Sequence, residues 1–211
     1  MRLPVPPLLV ISDRRQARRP LQELAEPIFA GGCRWLSLRE KDLPPAERRA
    51  LLNALVLIGR RWKATVTVHE DVEAAVMAGA GGVHLPRAGN PEAARARLPA
   101  GLIGASAHSA AEASALLGSG ADYVTISPVF ITASKPGYGP AIGLDGLAEI
   151  VAQVPGPVIA LGGINAANAP LCLSAGASGL AVMGEVMRAT NPQAVVEAML
   201  AAMSEPIKIS G

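Results

Sequence analysis

Eight short runs of branched aliphatic residues recur along this chain, each followed by a longer alanine-rich stretch with helical spacing. The strand-like runs are PLLVIS (7–12), WLSLR (35–39), TVTVH (65–69), GVHL (82–85), LIGASA (102–107), YVTISPVF (123–130), PVIALGG (157–163) and GLAVMG (179–184). Helices are predicted over 20–31, 44–61, 71–79, 91–98, 109–119, 144–153, 165–175 and 191–203. Asn90-Pro91, Ser109 with Glu112, and Asn191-Pro192 are start signals for three of them. Eight strands, each followed by a helix, is the count of a closed parallel barrel, so the expected fold is α/β, a (β/α)8 TIM barrel. Near-continuous apolar strands suit a sheet covered on its outer face by helices. The alternative is a doubly wound open sheet, but no GxGxxG follows the first strand, where that fold carries its dinucleotide loop. At 211 residues, with no linker or low-complexity stretch, residues 1–211 are expected to form one domain.

Charge narrows the partners. A net charge of +2, with arginines scattered instead of striped along one face, points away from nucleic acid. Cys33 and Cys172 lack CxxC spacing and sit among apolar residues, the pattern of buried free thiols in a reducing compartment. The opening MRLPVPPLLVISDRR is interrupted by prolines and reads as no signal peptide. Ile150 to Gly184 carries no charge, yet its glycines, prolines and asparagines divide it into strand, turn and strand, so no membrane span is expected. These features together predict a cytoplasmic protein, and they leave a homo-oligomer open.

In a barrel of this kind, catalytic groups sit at the C-terminal ends of the strands, where the βα loops converge. There the polar residues fall into order. The first strand ends in Ser12-Asp13-Arg14-Arg15, the second in Ser37, Arg39, Glu40 and Lys41, the third in His69-Glu70-Asp71. His84 and Arg87 close the fourth, Ser106 and His108 the fifth, and Thr132, Ser134 and Lys135 follow the sixth. Arg39, Lys41 and Lys135 are convergent cations suited to a phosphate or diphosphate. Gly162-Gly163 and Met183-Gly184 end the last two strands, where barrels often hold phosphate on backbone N–H groups. His84, within an apolar strand, reads as a satisfied structural histidine, and His108 as a surface residue. His69, beside two acids, suits an acid/base or metal role. No HExxH spacing supports zinc. The arginines at 14, 15, 18 and 19 read as a solvated turn.

The ordered set SLREKDL, GVHL, IGASAHS, ADYVTISPVFITASKPG, IGLDGL, VIALGGI and AVM resembles the thiamine phosphate synthase/TenI family, and the likeness spans the chain. The resemblance implies a (β/α)8 barrel that couples hydroxymethylpyrimidine diphosphate with thiazole phosphate, both small phosphorylated molecules. It implies a diphosphate clamp from Arg39, Lys41 and Lys135, with Ser106 beside the reacting centre. It assigns the thiazole phosphate to Thr132, Ser134, Gly163 and the backbone at Met183-Gly184. It also implies Mg2+, and here the sequence departs. Glu70 is the remaining candidate ligand in a His69-Glu70 pair where the family has Asn-Asp, and Gly89 stands where a second aspartate is expected. Ser37 replaces a glutamine, and Arg87 offers positive charge near the vacated position. The tautomerase branch of the family uses a histidine in its sixth strand, and Pro128 occupies that place. Three readings therefore stand: a synthase, a thiazole tautomerase using His69, and a silent barrel that binds thiazole or thiamine phosphates. A sugar-phosphate epimerase explains neither SLREK nor TASKPG.

Overall fold

A computed structural model describes residues 3–132 and 140–204. Eight parallel strands close into a barrel in sequence order, with β1 returning to pair with β8. The strands are β1 (Leu8–Ile11), β2 (Trp35–Leu38), β3 (Thr65–His69), β4 (Gly82–Leu85), β5 (Leu102–Ala107), β6 (Tyr123–Ile126), β7 (Val158–Leu161) and β8 (Gly179–Val182). The surrounding helices are α1 (Leu21–Ala30), α2 (Pro45–Arg61), α3 (Val72–Ala78), α4 (Pro91–Arg97), α5 (Ala110–Gly118), α6 (Gly143–Gln153), α7 (Ala169–Ser174), α8 (Gly184–Met187) and α9 (Pro192–Ser204).

Two apolar layers hold this arrangement. The larger lies between sheet and helices, where Leu8, Leu24, Phe29, Leu38, Leu52 and Ile103 are buried together. A smaller one fills the barrel interior with Leu9, Ile11, Trp35, Leu102, Tyr123, Ile159 and Ala181. Alternation along each strand sends one residue outward to the helices and the next inward. Strands buried on both faces therefore read as unbroken apolar runs.

The differences from the sequence expectations are local. The sixth run was expected to reach residue 130, but β6 stops at Ile126. Pro128 has no N–H to continue a ladder. Beyond it the chain rejoins β7 through Val129 N–H to Leu161 O (2.9 Å) and Phe130 N–H to Gly162 O (3.0 Å). The helix expected from residue 165 begins at Ala169 instead. Asn165 and Asn168 cross-bond first: Asn165 N–H donates to Asn168 Oδ1 and Asn168 N–H to Asn165 Oδ1. One turn, α8, follows β8 directly and was not expected. Asn90, Ser109 and Asn191 each accept a hydrogen bond from a first-turn N–H, as their start signals foretold. Cys33 and Cys172 are buried free thiols, each pushed up to about 11 by burial. No helix among the described residues is long and apolar enough to cross a membrane.

Candidate active site

A cavity of about 320 Å³ opens at the C-terminal ends of the strands. Arg39, Lys41, His69, Glu70, Ser106, Thr132, Gly163, Met183 and Gly184 all line it. Sequence reasoning named every one of them, from six different strand ends. Ser134 and Lys135, named with them, lie outside the described residues.

The β2 end is anchored by a buried carboxylate. Glu40, with its side chain 2% exposed, accepts hydrogen bonds from Ser12 Oγ at 2.7 Å and from Arg14 N–H at 3.1 and 3.2 Å. Ser12 Oγ in turn accepts from Arg39 N–H at 2.8 Å. The SDR run after β1 and the REK run after β2 thus complete each other, and Arg39 is held at the rim. Burial raises the Glu40 pKa, while the Ser12 hydroxyl and the Arg14 N–H oppose it. Among the described residues the Arg39 guanidinium makes no ion pair, whereas Lys41 pairs with Glu70. An uncompensated guanidinium in a concave mouth can attract a multiply charged anion.

Below these cations lies a polar cluster. His84 is 2% exposed, with Nδ1 3.0 Å from Tyr123 Oη and Nε2 3.0 Å from Ser106 Oγ. Its ring lies 4.7 Å from that of His69. Burial first, then the charges of Lys41 and Arg39, lower the His84 pKa to about 3, so the imidazole is neutral at physiological pH. The expectation of a satisfied histidine holds, and the satisfied histidine also touches the cavity wall.

On the opposite side, two glycines carry the β6 loop. Gly162 has φ +107 and Gly163 φ +64, both in the left-handed region. A Cβ on Gly163 would lie 2.7 Å from Ile131 O and 2.7 Å from Phe130 Cβ. The turn is therefore fixed both by its backbone angles and by the loop seated on it.

The sequence reading did not place His108, Glu185 or Arg188 in the site. His108 was expected at the surface, but it lines the cavity, and its Nδ1 is 2.8 Å from Ser127 O. Glu185 and Arg188 reach the cavity from α8, the unexpected turn. The arginines of the first loop do not line it. Arg14 and Arg15 pair with Asp42, at 2.7 and 2.9 Å, and Arg18 Nε donates to Arg188 O at 2.6 Å. They tie neighbouring loops together instead of standing only in solvent.

Magnesium favours near-octahedral oxygen ligands, usually one or two carboxylates with water and substrate phosphates. Among the described residues no three His, Cys, Asp or Glu side chains converge as a metal group. Glu70 is committed to Lys41. A Cβ at Gly89 would lie 2.6 Å from Leu85 Cβ and 3.0 Å from Pro86 O, so a second carboxylate there would force the turn to move. Arg87, on the same loop, lines the cavity and pairs with Glu112 at 3.0 Å. These residues do not fit a two-carboxylate magnesium site.

A closed parallel barrel whose mouth gathers cations, hydroxyls and a double glycine places the chain among the (β/α)8 proteins with a polar C-terminal site. Comparison narrows this further. The family model for thiamine monophosphate synthase (TMP-TENI) matches residues 8–186. A putative thiamine-phosphate synthase of Geobacter sulfurreducens is 42% identical over 197 residues, covering 92% of each chain. A thiamine-phosphate synthase of a Roseiflexus species is 36% identical, over 94% of this chain and 85% of its own. The solved thiamine phosphate pyrophosphorylase of Pyrococcus furiosus superposes with a TM-score of 0.83 at 34% identity, covering 93% of this chain and 94% of that one. The chain belongs to the thiamine monophosphate synthase/TenI family.

Proposed function

We propose that this protein is a thiamine phosphate synthase, a transferase that joins hydroxymethylpyrimidine diphosphate to thiazole phosphate in the cytoplasm. The carrying observation is the convergence of Arg39, Lys41, Ser106, Thr132, Gly163 and Met183-Gly184 on one cavity, in a chain whose relatives bear that name.

The chemistry suits such a mouth. The bond between the pyrimidine methylene carbon and the diphosphate oxygen breaks, and its electron pair leaves with diphosphate. The thiazole nitrogen then donates its lone pair to the resulting cation and forms the new carbon–nitrogen bond. The enzyme's contribution is to stabilise the departing charge and to hold the nucleophile in line. Arg39 and Lys41 serve the first task, with Lys135 joining them in the family pattern. Thr132, Ser134, Gly163 and the Met183-Gly184 backbone serve the second by holding the thiazole phosphate. Glu70 holds Lys41 at the rim through an ion pair.

The test is incubation of the pure protein with both substrates, with and without magnesium, following thiamine phosphate. Product formation that Lys135→Ala abolishes supports the synthase. No product, but interconversion of the thiazole carboxylate phosphate tautomers that His69→Ala removes, would transfer the protein to the tautomerase branch. Binding without either turnover would leave a silent barrel.

A further inference from the structure

We propose that Tyr123 and His84 are positioning residues that fix the Ser106 hydroxyl as a hydrogen-bond donor into the cavity. The inference rests on the synthase reading for its substrate, but its geometry stands apart from it.

Three neighbouring strands carry the chain of contacts. His84 on β4 is in register with Gly104 on β5, and Gly104 with Tyr123 on β6. Gly104 makes the arrangement feasible: a Cβ there would lie 1.9 Å from Tyr123 Cζ and 2.3 Å from its hydroxyl oxygen. The phenol ring occupies that space, fully buried, with the Trp35 ring at 4.8 Å and 82°. Its hydroxyl reaches His84 Nδ1 and, among the described residues, has that nitrogen as its hydrogen-bond partner.

Counting hydrogens gives the chain a direction. A neutral imidazole carries one N–H. Were it on Nδ1, the Tyr123 hydroxyl would accept it, and its own hydrogen would be stranded inside the barrel without an acceptor. With the phenol donating to Nδ1, the imidazole hydrogen sits on Nε2. From there it goes to Ser106 Oγ at 3.0 Å, with Thr125 Oγ1 a more distant neighbour at 3.5 Å. Burial and the cations Lys41 and Arg39 hold the ring neutral, which keeps this single orientation. Ser106 then accepts from His84 on its oxygen, which leaves its own single hydrogen for donation into the cavity that it lines. The group it would meet is an electron-rich atom, an anionic oxygen or a ring nitrogen, of the diphosphorylated substrate beside Arg39 and Lys41. Ser106 thereby acts as a donor and not as a base or nucleophile.

Two measurements test this. Long-range proton–nitrogen NMR on ¹⁵N-labelled protein, with signals assigned through His69→Asn and His108→Asn, should report His84 protonated on Nε2. Tyr123→Phe keeps the ring over Gly104 and should mix or reverse that tautomer. Protonation on Nδ1 in the unmodified protein overturns the proposal. In turnover, Tyr123→Phe should lower kcat about tenfold, the scale of one misdirected hydrogen bond, with KM for thiazole phosphate unchanged. In a Ser106→Ala background it should cost nothing further, because the tyrosine acts through that hydroxyl. Independent, multiplying losses would overturn it. Absence of turnover in the unmodified protein would overturn the synthase reading, while the NMR result, which needs no substrate, would still decide the tautomer.

Discussion

Glu40 and Arg39 are adjacent in the chain and opposite in fate. One is a carboxylate withdrawn from solvent to tie two loops, and the other a guanidinium at the cavity rim with no ion pair among the described residues. In the proposed reaction, truncating Arg39 to alanine removes charge that matters most as diphosphate departs. Steady-state assays should show kcat/KM falling about a hundredfold, on the order of 3 kcal/mol of transition-state stabilisation. Glu40 shapes the pH profile of stability. Burial raises its pKa in the folded state, against the Ser12 and Arg14 contacts, so the folded protein holds this proton more tightly than the unfolded chain does. Its contribution is greatest below the unfolded value and declines as pH rises through the folded one. Glu40→Gln should remove that decline, seen in urea midpoints collected upward from about pH 4. The pairing of SDR with REK was not legible in the sequence, because it depends on β1 and β2 ending at the same height.

At the scale of elements, local chemistry was a dependable guide where one side chain decides a boundary. Asn90, Ser109 and Asn191 cap helices as their spacing predicts. Asp71 does the same for α3, accepting from Ala74 N–H at 2.9 Å while pairing with Arg48 at 2.7 Å. Asp71→Ala should cost about 1–2 kcal/mol in chemical unfolding. Burial alone would raise the Asp71 pKa, but the Arg48 contact and the Ala74 N–H outweigh it and lower the value. Its stabilisation is present above the unfolded pKa and fades as pH falls through the folded one, so variant and parent should converge in acid. Boundaries failed where two or more residues compete. Asn165 and Asn168 bond to each other before α7 can start, and the four-residue α8 is too short to leave a period. With α8 went Glu185 and Arg188 of the cavity wall.

For the whole molecule, the count of eight apolar runs was enough to call the closed barrel, since each strand recorded its burial on both faces. The contents of the interior were harder to read. A glycine in LIGASA and a tyrosine nineteen positions later give no sign that one makes room for the other, yet the barrel closes around that pair. Gly104→Ala should therefore destabilise the protein by about 3 kcal/mol, measured by urea unfolding, although alanine is the smallest possible addition. The site was legible as a set of strand ends but not as a surface. His108 and His84 became cavity residues only when the strands curved into a ring.

The double glycine after β7 has a practical consequence for anyone recombining members of this family. Because Pro128, Phe130 and Ile131 rest against Gly162 and Gly163, a sixth loop borrowed from a relative must arrive with a compatible seventh turn. The two segments, separated by a whole helix in the gene, behave as one interchangeable cassette, and a chimera that splits them would jam at the seat between them.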